Sequence, residues 1–207
     1  MQPDFTIITT LYEREDMLFP LLDSVLEQTH ASWELRIIAD GPHPISRKRI
    51  ADLQQEFPDI RSRVHYSERT RFEGCVGNLL RGWGVRDACG RNVCWIGHDC
   101  ILYRDYLATH WEHLKEAPCL SVVRINHWHV CEKECRRRGV FPNKDPKVVQ
   151  SSEIDLTCYA CPVEAALAVN AFDESIKYQY NADYITYDRL RQVLPVVASD
   201  KVCAAHF

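Results

Sequence analysis

The chain has 207 residues, of which 46% are hydrophobic and 26% charged, and its formal net charge is −4. This is the composition of one well-buried globular domain, and no net positive field draws the whole protein onto nucleic acid or an anionic membrane. No apolar run reaches the ~20 residues of a bilayer span, and the start Met1-Gln-Pro-Asp4 lacks the pattern of an export signal, so the ten cysteines read as reduced thiols of a cytoplasmic protein.

Phe5-Thr-Ile-Ile-Thr-Thr10 is the first β-rich run. Leu18, Leu21, Leu22, Val25 and Leu26 recur at helical spacing, and Pro20 fits only in a first turn, so this helix starts near Phe19. Leu35–Ala39 is the next strand, ended by the turn signal Asp40-Gly-Pro42. Ser46 is a candidate cap for a helix carrying Ile50, Leu53 and Phe57, stopped by Pro58. Val64–Tyr66 is a brief strand. A helix from about Val76 to Ala88 follows, with Gly90 at its end.

Asn92–Ile96 reads as a strand, Tyr106–Lys115 as a helix and Leu120–Ile125 as a strand. Residues 126–152 are polar and irregular. A helix over Ala182–Val193, a short strand at Val196 and Val197 and an end at Val202–Phe207 complete the chain. Strands alternating with helices predict an α/β fold with a mostly parallel central sheet covered on both faces. Ligands of such sheets bind beyond the carboxyl ends of the strands, where Thr9, Asp40 and Asp99 fall. The Gly-rich dinucleotide motif and the Walker A motif are both absent, so a nucleotide would be gripped through a metal and side chains.

The stretch Trp95-Ile-Gly-His-Asp-Cys-Ile-Leu-Tyr103 drops three polar or small residues into an apolar run. Asp99 there is either a turn cap or a ligand for a divalent cation. Cys131/Cys135 and Cys158/Cys161, with His127 and His129, have the spacing of a structural zinc site, but Leu156–Val163 is apolar and reads as buried core. Arg136-Arg-Arg138 reads as a solvated loop, with a phosphate-handling patch as the alternative.

Phe5–Gly41 resembles the opening of the family-2 glycosyltransferases of the GT-A fold, through Thr10-Leu-Tyr-Glu-Arg14, Ser24-Val-Leu-Glu-Gln-Thr29 and Ala39-Asp-Gly41. The likeness continues in Asn78–Gly90, where Gly82 replaces the family's Asn. Further on, Ile96-Gly-His-Asp-Cys100 stands at the acidic metal motif, followed by Ala171-Phe-Asp-Glu174 and Asn181-Ala-Asp-Tyr184. The resemblance implies a single GT-A domain over 1–207, Rossmann-like, with a nucleotide-sugar half (1–100) and an acceptor half (101–207).

It also implies sugar transfer from a nucleotide-diphosphate sugar, UDP-sugar foremost, to a glycan or other hydroxyl acceptor, with inversion and with Mn2+ or Mg2+. Carried over by position, Thr9, Tyr12 and Asp40 would hold the nucleoside, Arg71 and Arg81 would lie at the phosphates, and His98 would either bond the diphosphate or join the metal. Asp99 would bind the metal, joined by His206, which resembles a histidine that some members carry near the end of this domain. Asp183 would be the general base; it is also an ordinary residue for a helix amino terminus, and Asp188 stands nearby. Asp173 and Glu174 brace a turn, and Tyr178, Tyr180, Tyr184 and Tyr187 are either a stacking face or core. A non-catalytic nucleotide-sugar binding module and a nucleotidyltransferase of related fold are the competing readings.

Overall fold

The computed structural model describes residues 2–70, 77–131, 134–150, 153–176 and 181–207, and side chains of 129–134 are left aside. Among the described residues nine strands form one sheet: β1 (Phe5–Leu11), β2 (Trp33–Asp40), β3 (Val64–Arg69), β4 (Asn92–Trp95), β5 (Cys100–Leu102), β6 (Leu120–Cys131), β7 (Glu134–Phe141), β8 (Tyr159–Pro162) and β9 (Val196–His206). Their order is β3-β2-β1-β4-β8-β6-β9-β5, with β7 paired to β6. Seven helices accompany them: α1 (Leu18–Leu26), α2 (Pro44–Glu56), α3 (Pro58–Arg61), α4 (Gly77–Arg86), α5 (Tyr106–Leu114), α6 (Val163–Ala168) and α7 (Ala182–Val193). The α/β class expected from the alternation is what forms.

The amino half is the parallel part: β1 pairs β2 and β4 in parallel, and β2 pairs β3. Every residue of β1 is buried, as a strand covered on both faces requires. In the carboxyl half the directions mix, since β8 runs antiparallel to β4 and β6 while β9 runs parallel to β6. Helix α4 lies close to the first two strands because Gly84 carries no side chain: a Cβ there would sit 2.8 Å from Ile8 Cγ2 and 3.0 Å from Ile38 Cδ1.

Four local expectations change. Helix α2 begins at Pro44, not at a Ser46 cap; the Ser46 N–H and hydroxyl donate to Glu15 Oε2 at 2.7 and 2.9 Å. Pro58 ends that helix and also opens α3, since a proline suits a first turn. Residues 126–131 and 134–141 pair as antiparallel strands β6 and β7 and are not irregular chain, with a register shift between His127 and Trp128. The tail from Val196 to His206 is one long irregular strand, whose register against β6 shifts on both sides of Arg124.

Candidate active site

The carboxyl edge of the parallel strands gathers the polar residues. Strand β1 runs into a turn in which Glu13 and Arg14 both have left-handed backbone, with φ of 52° and 40°. Two such non-glycine residues in a row cost roughly 1–3 kcal/mol each, a strain that surrounding structure must hold in place. Tyr12, just before them, is 45% exposed. Thr9 is fully buried, its hydroxyl without a partner among the described residues. Asp40 ends β2 and is buried. Arg71 lies outside the described residues.

Beyond β4 the chain turns through Gly97, His98 and Asp99 into β5. A Cβ on Gly97 would meet Asp99 Oδ1 at 2.7 Å, so glycine here lets the carboxylate fold back against the turn. Pairing of β5 with β9 sets Cys100 opposite His206, and the Phe207 N–H donates to the Asp99 carbonyl at 3.1 Å. These backbone contacts bring His206 Nε2 to 3.5 Å from Asp99 Oδ1. Burial raises the Asp99 carboxyl pKa, but the neighbouring His206 outweighs it and holds the group below its ordinary value. His206 goes the other way: burial opposes its charge, yet Asp155 and Asp99 lift it to about 10.

Asp155, absent from the sequence reading, lies 2.8 Å from His206 Nδ1 through Oδ2. His127 of β6 packs its ring edge-on to His206 at 4.5 Å between centroids. Among the described residues the donor atoms of Asp99, Cys100 and His206 lie within 4.8 Å of one another, as do those of His127, Asp155 and His206. Cys100 is a poor ligand here, because burial pushes its thiol pKa well up and Thr157 Oγ1 stands 3.4 Å from the sulfur. The carboxylate and imidazole that remain are a donor set suited to Mn2+.

His98 stays outside both groups. Burial and the nearby Arg14 and Arg81 lower its pKa against the pull of Asp99, so the ring is neutral. Its Nε2 is buried and bonds no described residue.

Asp183 sits in the first turn of α7, its carbonyl accepting the Tyr159 hydroxyl at 3.0 Å. Its carboxylate Oδ1 is 3.4 Å from Arg81 Nη1, and Arg81 also donates to Asn78 Oδ1 at 2.8 Å. Burial raises the Asp183 pKa to about 6, helped by Asp155 and opposed by Arg81 and His206, while 27% of its side chain remains open. Asp188 is engaged elsewhere, 2.8 Å from Arg191 Nε. Asp173 braces a turn as expected, accepting from the Ser175 N–H and hydroxyl. Tyr187 is core, its hydroxyl donating to the Pro146 carbonyl; Tyr178 and Tyr180 lie outside the described residues.

Cys158 and Cys161 are fully buried with thiol pKa values pushed up, and no described residues complete a zinc site with them. The cysteine of the other pair, Cys135, is exposed, and the Cys131 side chain lies outside what is described. Arg136, Arg137 and Arg138 are exposed along β7. A cleft of 610 Å³ opens at the opposite edge of the sheet, by Gly90, Arg91, Trp111 and Lys115, and none of the site residues lines it. No described helix is long and apolar enough to cross a membrane.

The family model described as Glycosyl transferase family 2 matches residues 6–174. The chain is 27% identical over 118 residues to a putative teichuronic acid biosynthesis glycosyltransferase, TuaG, of Bacillus subtilis, across 57% of this chain and 44% of that protein. It is 26% identical over 111 residues to glycosyltransferase GlyA of Streptococcus pneumoniae, across 54% of this chain and 15% of that one. The matched stretches thus span less than half of either curated relative. Among solved structures, S. aureus TarS 1-349 in complex with UDP superposes with a TM-score of 0.72 at 13% identity, over 98% of this chain and 60% of that one. The mannosyltransferase PcManGT from Pyrobaculum calidifontis, in complex with GDP-Man and Mn2+, superposes with a TM-score of 0.73 at 16% identity, over 100% of this chain and 57% of that one. At these identities the two structures establish the shared fold.

Proposed function

The chain belongs to glycosyl transferase family 2, and on that premise we propose that it moves a sugar from a nucleotide-diphosphate sugar to an acceptor hydroxyl with inversion. Residues 1–100 hold the donor and residues 101–207 supply the acceptor side. The observation that carries the reading is Asp183: a partly open carboxyl with a pKa of about 6, beside Arg81 and within electrostatic reach of His206. A group that titrates just below neutral pH is ionised at pH 7.5 and still basic enough to take a proton in a transition state.

In this reading the acceptor oxygen attacks the anomeric carbon as its proton passes to an Asp183 carboxylate oxygen. The new C–O bond forms while the bond from the anomeric carbon to the diphosphate oxygen breaks, and its electron pair leaves with the nucleoside diphosphate. Tyr12 flanks the base, Asp40 accepts from base or ribose, and Thr9 contributes its hydroxyl from beneath. His98 offers the donor a buried ring nitrogen, Nε2, that no described residue satisfies. Arg81 faces the phosphates, and Arg71 is assigned to them by its place in the sequence alone.

Asp99 and His206 would hold a divalent cation, Mn2+ or Mg2+, whose charge would offset that of the departing diphosphate. A neighbour of the same fold was solved with GDP-Man and Mn2+, and others with UDP and UDP-GlcNAc, which supports a nucleotide-sugar donor and a metal here.

The test is sugar release and transfer from UDP- and GDP-sugars with Mn2+, comparing the native chain with Asp183→Asn. Donor binding that persists while turnover drops by about 10² or more supports the base. Full turnover in that variant removes Asp183 from the chemistry, and donor binding without turnover in either protein favours a non-catalytic module.

A further inference from the structure

Asp155 lies in the segment leading into β8, and its two carboxylate oxygens serve different partners. Oδ1 accepts the Thr157 N–H at 2.8 Å, and Oδ2 lies 2.8 Å from His206 Nδ1. The side chain is buried, 9% exposed as a residue, so these contacts are sheltered from water. The other face of the same imidazole, Nε2, looks at Asp99 Oδ1 across 3.5 Å.

The two gaps differ in kind. A separation of 2.8 Å is a hydrogen bond, with no space for an ion between the atoms. A separation of 3.5 Å exceeds an ordinary hydrogen bond and matches two donors that share one small cation at roughly 2.1 Å each. A carboxylate only accepts, so an imidazole bonded to Asp155 through Nδ1 must carry its proton there. With no ion bound the two carboxylates keep the ring charged and Nε2 protonated as well; a cation would displace that second proton and take the Nε2 lone pair on the Asp99 side.

We propose that Asp155 is a positioning residue: it fixes His206 in the Nδ1–H form and aims Nε2 at the cation position beside Asp99. The proposal rests on the reading that Asp99 and His206 hold a divalent cation. His127 completes the grip by packing its ring against His206 at 4.5 Å, so the imidazole is held by a hydrogen bond on one edge and a ring on one face. The Cys100–His206 strand pairing fixes the backbone from which it projects. A carboxylate behind a metal-binding histidine sets its tautomer and orientation, and losing one weakens metal binding by roughly 10–100-fold.

Asp155→Asn separates this role from a merely structural one. Its amide oxygen still accepts from the Thr157 N–H, which leaves the amide NH₂ facing His206. An NH₂ group only donates, so Nδ1 becomes the acceptor and the proton moves to Nε2, where it blocks coordination. Binding of Mn2+ is read from the loss of the free-ion electron paramagnetic resonance signal, for the native chain, Asp155→Asn and His206→Ala. The expected result is a loss of about 10–100-fold in Mn2+ affinity for Asp155→Asn, with far-UV circular dichroism unchanged.

An Asp155→Asn protein that binds Mn2+ within about threefold of the native chain overturns the proposal and leaves the cation site standing. A native chain that binds no Mn2+ overturns both. Should Asp155→Asn fail to fold, ¹⁵N-imidazole spectra of the native chain loaded with diamagnetic Zn2+ decide the matter. A protonated Nδ1 with a metal-shifted Nε2 on His206 supports the assignment, and the reverse pattern overturns it.

Discussion

Arg81 and Asp183, 102 positions apart in the chain, meet at 3.4 Å between Nη1 and Oδ1. The pair joins the helix behind the first strands to the helix that begins the carboxyl tail. Arg81 holds the carboxyl down and burial pushes it up, and burial prevails at a pKa of about 6.

A pH profile follows from that value. A base must be ionised, so kcat/KM rises with pH through an acidic limb near 6 and levels above it. Replacing Arg81 with Met removes an influence that lowers the pKa, so the limb moves to higher pH. The profile is measured with saturating metal and varied donor; a limb near 4, or none, contradicts the assignment.

The same shift has a consequence for stability. The folded pKa of about 6 lies above the ordinary 3.8, so the folded chain binds this proton more tightly than the unfolded one. The associated stability is full below about 4 and is lost as pH rises through about 6. Asp183→Asn has no such loss, and at pH 7.5 it unfolds with a free energy equal to or higher than the native value, by up to about 3 kcal/mol. Urea unfolding at pH 4, 6 and 7.5 checks the sign; a gap between the two proteins that narrows as pH rises contradicts it.

Gly97→Ala is expected to disturb the site and spare the fold. The new Cβ meets Asp99 Oδ1, the movable end of a side chain, so the carboxylate is displaced while the backbone stays. Mn2+ affinity falls by about tenfold or more, with little change in unfolding temperature. Metal titration beside a thermal melt measures both; native-like affinity shows that Asp99 is not the anchor.

Gly82→Ala behaves in the opposite way. Helix propensity favours alanine by about 1 kcal/mol, but the Cβ would stand 2.4 Å from the Phe172 carbonyl oxygen, a backbone atom that cannot step aside. Net destabilisation of about 1–3 kcal/mol is expected from overpacking. Denaturant unfolding tests this, and a more stable variant would show that the close approach of α4 to the Phe172 turn is not needed.

The placement of three candidate residues was legible in the sequence: Asp40 ends β2, Thr9 lies late in β1 and Asp99 follows β4 in the turn to β5, and a parallel sheet sends such positions to one edge. The β6–β7 pairing was not legible: β7 carries Arg136, Arg137 and Arg138 on exposed positions, so the apolar alternation that marks a strand is missing. Ser46 misled because hydroxyls favour caps, while its real partner, Glu15, lies 31 positions away. Asp155 could be read only as the local cap of Thr157, since nothing in its neighbourhood points 51 positions ahead to His206.

The most direct measurement is calorimetric titration of UDP and GDP into the native chain and into Asp99→Asn, each with Mn2+ and with EDTA. The expected result is a nucleoside diphosphate that binds the native chain about tenfold or more tightly with Mn2+ than with EDTA, an advantage that disappears in Asp99→Asn. Equal affinity with metal and with chelator in the native chain would contradict a cation held by Asp99 and His206 at the diphosphate.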